Sequence, residues 1–127
     1  MNFIQTDNAP KAVGAYSQGV STGNLVFFSG QIGLTPEGEM AGDDITRQTT
    51  QILQNISALL EATSLTKNNV VKATIFLTDI DDFAIVNGLY GDFFGDHRPA
   101  RSCVAVAALP KNALIEIEII AEKSEEI

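Results

Sequence analysis

The most regular pattern of apolar and polar positions lies in the last third of the chain. β-Branched or apolar residues return at every second position through Ser102-Cys103-Val104-Ala105-Val106 and again from Leu114 to Ala121. This period of two predicts two strands, separated by a turn at Pro110-Lys111-Asn112. Alternation puts Val104 and Val106 on one face with Ser102, and Arg101, Cys103, Ala105 and Ala107 on the other. It also puts Ile115, Ile117 and Ile119 opposite Glu116 and Glu118. If the valine and isoleucine faces share a core, Arg101 and both glutamates meet on the far side, framed by small alanines. Two readings stay open at this point: a ligand cleft, or an exposed ion pair that contributes little energy.

The earlier segments carry the same two periods. Ala15-Tyr16-Ser17-Gln18-Gly19-Val20 is a short candidate strand and Gly23-Asn24 a turn. Leu25 to Ile32 is apolar on both faces through Phe28, as a strand covered on both sides would be. Thr35 to Glu39 reads as a turn or an irregular extension. A helix is predicted from Asp43-Asp44, with an aspartate at its amino end and a stripe of Ile45, Thr49, Ile52, Leu53, Ile56, Leu59, Leu60 and Thr63. Val70 to Thr78 is the clearest strand, with Val71, Ala73, Ile75 and Leu77 on one face and Phe76 on the other. A second helix follows Asp79 to Asp82, its stripe being Phe83, Val86, Tyr90, Phe93 and Phe94, closed by Gly95. Gly88 and Gly91 inside it are expected to permit close packing against a neighbour.

This order predicts an α/β (α+β) class: one mixed sheet with two helices packed on one face, in a single domain spanning 1–127. Two helices cover one face only, yet Phe27, Phe28 and Phe76 project from both. Like chains are therefore expected to pack sheet face to sheet face, with the Arg101 and Glu116 face buried between them.

Composition narrows the function. Apolar residues make up 45% of the chain and charged residues 19%, as in a folded globular protein. A net charge of −8 opposes binding to phosphate backbones, and the 8 Lys and Arg form no basic run, so nucleic acid is disfavoured as a partner. The single cysteine allows no internal disulfide, and one His with one Cys leaves too few ligands for a structural zinc site. With no basic and apolar leader pattern and no run long enough to cross a membrane, the expected location is the cytoplasm. Cys103 lacks a nearby paired histidine, since His97 is placed in a solvated loop, and Ser29 lacks a G-x-S-x-G context; neither reads as a nucleophile.

Five motifs then converge: Gly14-Ala15-Tyr16-Ser17-Gln18-Gly19, Ser29-Gly30-Gln31-Ile32, Val86-Asn87 before Tyr90, Pro99-Ala100-Arg101-Ser102-Cys103-Val104, and Ile115-Glu116-Ile117-Glu118. In this order, from about Asn8 to Ala121, the chain resembles the Rid family, also called the YjgF family, and within it the RidA subgroup of 2-iminobutanoate/2-iminopropanoate deaminases. The resemblance implies a chorismate-mutase-like fold, a homotrimer with a central barrel, and clefts between subunits. It also implies hydrolysis of enamines and imines such as 2-aminoacrylate to 2-oxo acids and ammonia, without metal or other cofactor. By the same analogy Arg101 grips the substrate carboxylate and Glu116 holds and polarises the attacking water. The Cys103 amide and the Ser29-Gly30 segment add hydrogen bonds, Tyr16 walls the cleft, and Asn87 supports it. Ala15 departs from the proline common there, which frees φ in the loop that carries Tyr16. The rival readings are a non-catalytic trimer that binds small carboxylates for regulation, and an endoribonuclease or translation inhibitor, which the acidic surface disfavours.

Overall fold

The apolar stripe of the first helix determines what packs on the sheet. In the computed structural model, which describes residues 1–123, helix α1 (Ile45–Ala62) buries Ile45, Thr49, Ile52, Leu53, Ile56, Leu59 and Leu60 as the spacing predicts. Asp44 caps it, its side chain accepting from the Arg47 amide at 2.8 Å. The stripe also encloses two amides that read as surface residues in the sequence. Gln48 donates to Gly42 O at 2.9 Å and accepts from the Leu114 amide at 2.8 Å; Asn55 donates to Leu34 O at 2.8 Å. Buried polar groups are tolerated when paired in this way, and here they fasten α1 to the loop before it and to the last strand.

Among the described residues seven strands form one sheet: β1 (Asn2–Ile4), β2 (Gly19–Thr22), β3 (Leu25–Phe28), β4 (Gln31–Ile32), β5 (Val70–Leu77), β6 (Ala100–Ala105) and β7 (Ile115–Glu122). Their order is β1-β2-β3-β7-β5-β6, with β4 pairing β7 beyond the end of β3. Every pair is antiparallel except β5 and β6, which are joined by helix α2 (Phe83–Phe94) as a parallel crossover. Inward side chains of β3, β5 and β7 join the buried residues of both helices in one cluster, so the helices cover one face. The opposite face is open, and Phe27 and Val104 stand on it 42% and 44% exposed.

Several expectations are corrected. The predicted strand from Leu25 to Ile32 breaks at Ser29-Gly30 into β3 and β4, and the one from Ala15 begins only at Gly19. Val71 is exposed and Val70 buried, because the ladder between β5 and β7 shifts register between Val70 and Lys72; the extra residue reverses which side chain points inward. Among the described residues a Cβ at Gly88 or Gly91 would meet nothing within 4 Å, so neither glycine serves a close contact there. His97 is half-buried rather than solvated, its Nε2 lying 2.7 Å from Val70 O.

The correction that matters most concerns β6. Arg101 lies opposite Ala73, Cys103 opposite Ile75, and Ala105 opposite Leu77, while Ile75 lies opposite Ile117 in β7. Residues directly opposite share a face, so Arg101, Cys103 and Ala105 are on the helix side with the isoleucines. Val104 shares the open face with Phe76 and Glu116. Val104 of β6 does not point into the core, and Arg101 and Glu116 do not meet within one chain.

Gly33 shows how closely the layers approach. A Cβ there would lie 2.8 Å from Gln48 Cα, which is helix backbone and cannot turn aside. Gly33→Ala is expected to cost about 2 to 3 kcal/mol of stability by overpacking. A denaturant midpoint unchanged from wild type would show that the layers yield more readily than this contact indicates.

Candidate functional site

The chemistry-bearing residues fall into two groups on opposite faces of the sheet. The first is built by α2 over the edge strand β6. Phe83, Asn87 and Tyr90 follow one another at i, i+4 and i+7, so a helix lines them up on one side. Arg101 extends along that line: its Nη1 donates to Asn87 Oδ1 at 2.8 Å, and its Cζ lies 5.0 Å from the Tyr90 ring centroid and 5.4 Å from that of Phe83. Among the described residues the ion pairs are those of Arg47 with Asp43 and Asp44, so the Arg101 guanidinium has no carboxylate partner there. It is exposed, and it borders a cavity of about 430 Å³ lined by Asn87, Tyr90, Gly91, Arg98 and Pro99. Cys103 is half-buried against the core; burial pushes its thiol up, partly offset by Arg101, which argues against a thiolate nucleophile. Burial also pushes the Tyr90 hydroxyl up.

The second group forms on the open face. Glu116 of β7 lies opposite Ile32 of β4 and Phe76 of β5. Together with Tyr16, Gly30, Lys11 and Lys111 it lines a smaller cavity of about 130 Å³. Burial first, and then repulsion from Glu118, raises the Glu116 carboxyl above its ordinary pKa. A carboxyl so raised is a better proton acceptor when ionised, the property a general base requires. Tyr16 stands at the rim, 54% exposed.

The loop bearing Tyr16 is tied down by residues whose part the sequence did not disclose. Gln18 is buried and accepts from the Thr6 amide at 2.7 Å while donating to Thr6 O at 3.0 Å and Pro10 O at 2.9 Å. Ser29 donates its hydroxyl to Ser17 O at 2.6 Å and its amide to Gln18 O at 2.9 Å, which engages both of its donors within the chain. Nothing in the local pattern distinguishes Gln18 from a surface glutamine. The three residues along α2 had a detectable signal, the spacing of Phe83, Asn87 and Tyr90, but the two rings read as ordinary core.

Gly30 has a single purpose in this geometry. A Cβ there would lie 2.9 Å from Glu116 Cδ and 3.0 Å from its Oε2, and the glycine φ is not in the left-handed region. Because the contact is with the end of a flexible side chain, Gly30→Ala is expected to fold normally but turn the carboxylate aside. Any activity that depends on the Glu116 carboxylate should fall at least about tenfold with the melting temperature within a few degrees of wild type. Loss of fold and activity together would instead make Gly30 a packing residue.

Among the described residues no group of three His, Cys, Asp or Glu side chains is close enough to hold a metal ion, and no helix is long and apolar enough to cross a membrane.

A mixed seven-stranded sheet backed by two helices, with a guanidinium free of any carboxylate partner among the described residues on its edge strand and a raised carboxyl on the other face, defines an α+β domain. The family model described as Endoribonuclease L-PSP matches residues 6–123, and the chain belongs to this family, the Rid or YjgF family. It is 48% identical over 121 residues to the 2-iminobutanoate/2-iminopropanoate deaminase of Salmonella typhimurium, covering 93% of this chain and 94% of that protein. A solved structure from Thermotoga maritima superposes with a TM-score of 0.95 at 52% identity, covering 98% of this chain and 99% of that one. The yjgF gene product of Escherichia coli superposes with a TM-score of 0.92 at 46% identity, covering 98% and 100%.

Proposed function

We propose that the protein hydrolyses 2-imino acids and their enamine tautomers, such as 2-iminopropanoate, 2-iminobutanoate and 2-aminoacrylate, to 2-oxo acids and ammonia. The observation that carries this reading is the Arg101 fork: an exposed guanidinium held by a neutral amide and two rings, with no carboxylate partner among the described residues. Two parallel N–H donors match the two oxygens of a carboxylate and fix its angle as well as its position. The name of the 48% identical Salmonella relative supplies the reaction class.

The reaction needs a proton acceptor near that anchored acid, and Glu116 is the group suited to it. Since one chain holds the two on opposite faces, we place the working cleft at the seam between copies, in a homotrimer whose open sheet faces adjoin. There the Arg101, Asn87 and Cys103 edge of one chain meets the Tyr16, Gly30 and Glu116 face of the next. The exposed apolar residues of the open face support such packing. A protonated imine carbon is already electrophilic. Glu116 takes a proton from water as the water oxygen bonds to that carbon and the C=N π electrons pass to nitrogen. Glu116 then returns that proton to the amine nitrogen, and ammonia leaves as the hydroxyl gives its proton back to the Glu116 carboxylate and its oxygen forms the new C=O bond. Arg101 holds the carboxylate throughout, so the carbon stays before the water.

A coupled assay tests the proposal. Threonine or serine dehydratase generates the imine in place, and the protein is expected to accelerate formation of the 2-oxo acid and of ammonia. A rate equal to spontaneous hydrolysis across the concentration range would refute it.

A further inference from the structure

We infer that Phe83 and Tyr90 are positioning residues for Arg101, forming with Asn87 a socket that presents the guanidinium edge to a ligand carboxylate; the inference rests on the role proposed above for Arg101. An arginine on an exposed edge strand has many rotamers available, and an arginine that must first be ordered binds weakly. Here one nitrogen is engaged by Asn87 Oδ1 and the cationic carbon lies within attraction range of two ring centroids, at 5.0 and 5.4 Å. The amide fixes one edge of the plane and the rings hold the cation against α2, which leaves the other donors for a ligand. All three partners come from one helix, so they move as a unit. Among the described residues the buried Tyr90 hydroxyl has no hydrogen-bond partner, which assigns the ring, not the hydroxyl, to this task. The socket also gives a reason for arginine over lysine, because a compact ammonium reaching along the helix could not use the amide and both rings at once.

Phe83 is the residue to test, since Tyr90 packs against Phe94 at 4.7 Å between centroids and its loss would disturb the core. Five proteins are compared: wild type, Phe83→Leu, Phe83→Tyr, Arg101→Lys and the Phe83→Leu, Arg101→Lys double variant. The first readout is the Arg101 Nε–H resonance in the ligand-free protein, identified by its absence in Arg101→Lys. It should be sharp and slowly exchanging in wild type, broadened or lost in Phe83→Leu, and restored in Phe83→Tyr. The second is the dissociation constant for 2-oxobutanoate by calorimetry, which should rise about three- to tenfold in Phe83→Leu, the range of a cation–ring contact. KM should follow that rise with a smaller change in kcat, and the double variant should show no loss beyond Arg101→Lys alone.

An unchanged Arg101 resonance in Phe83→Leu, or an equal loss in both arginine and lysine backgrounds, overturns the socket. The coupling with no ammonia release would keep the socket and refute the deaminase. Imine turnover without the coupling would do the reverse.

Discussion

Arg101→Ala is expected to lower kcat/KM for 2-iminobutanoate by about 10²- to 10⁴-fold while the protein keeps its fold and assembly. The magnitude is that of losing a charge-assisted, two-point grip, about 3 to 5 kcal/mol at the transition state. The fold should tolerate it because Arg101 is exposed, lies on an edge strand and, among the described residues, has a side chain held by one hydrogen bond and two ring contacts. Arg101→Lys should lose most of the same activity, since an ammonium is a point charge without the planar fork. Steady-state rates in the coupled assay, beside the mass in solution, check both parts. Turnover by Arg101→Ala within a few-fold of wild type would remove the basis of the proposed reaction.

Glu116→Gln should move activity and stability in opposite directions. Replacing the proton acceptor by an amide of the same shape is expected to cost about 10²- to 10⁴-fold in kcat. Stability should rise at neutral pH, for a reason that follows from the direction of the pKa shift. Burial and Glu118 raise the carboxyl in the folded state above its unfolded value, so the folded state binds more protons in the window between the two. Stability then falls as pH increases through that window and stays lower above it, and glutamine removes this loss. The rate should show the matching dependence in wild type, declining as pH drops through the raised value because a protonated Glu116 cannot accept a proton. Melting curves and rates across pH 4 to 8 provide the measurement. A destabilised Glu116→Gln would mean that the ionised carboxylate is favourably paired in the folded protein, contrary to the electrostatics described here.

What could be read from the sequence depended on how strongly burial marks each element. Helix α1 and strand β7 were legible because one face of each is wholly enclosed and the other is not, so Ile56 and Leu59, or Ile117 and Glu116, differ sharply in character. Strand β6 was legible as a strand but not in its facing. It lies at the sheet edge, only Cys103 is even half-buried, and alanine fits either side; its facing is decided by pairing with Ile75, which sequence alone does not show. Taking Val104 as core therefore put Arg101 beside Glu116 within one chain. The choice of candidate residues did not rest on that facing, because their types and motifs are the same whichever way the strand is turned. Val71 was misplaced by a one-residue shift in the ladder, and His97 by a long-range contact with Val70 O.

The division of Arg101 and Glu116 between two faces of one sheet carries a genetic corollary under the proposed assembly. Two defective alleles, one without the fork and one without the base, would be co-assembled into mixed rings. At some seams an intact edge from one product would adjoin an intact face from the other, so each lesion would be partly masked by its counterpart, although either allele alone would leave every seam defective.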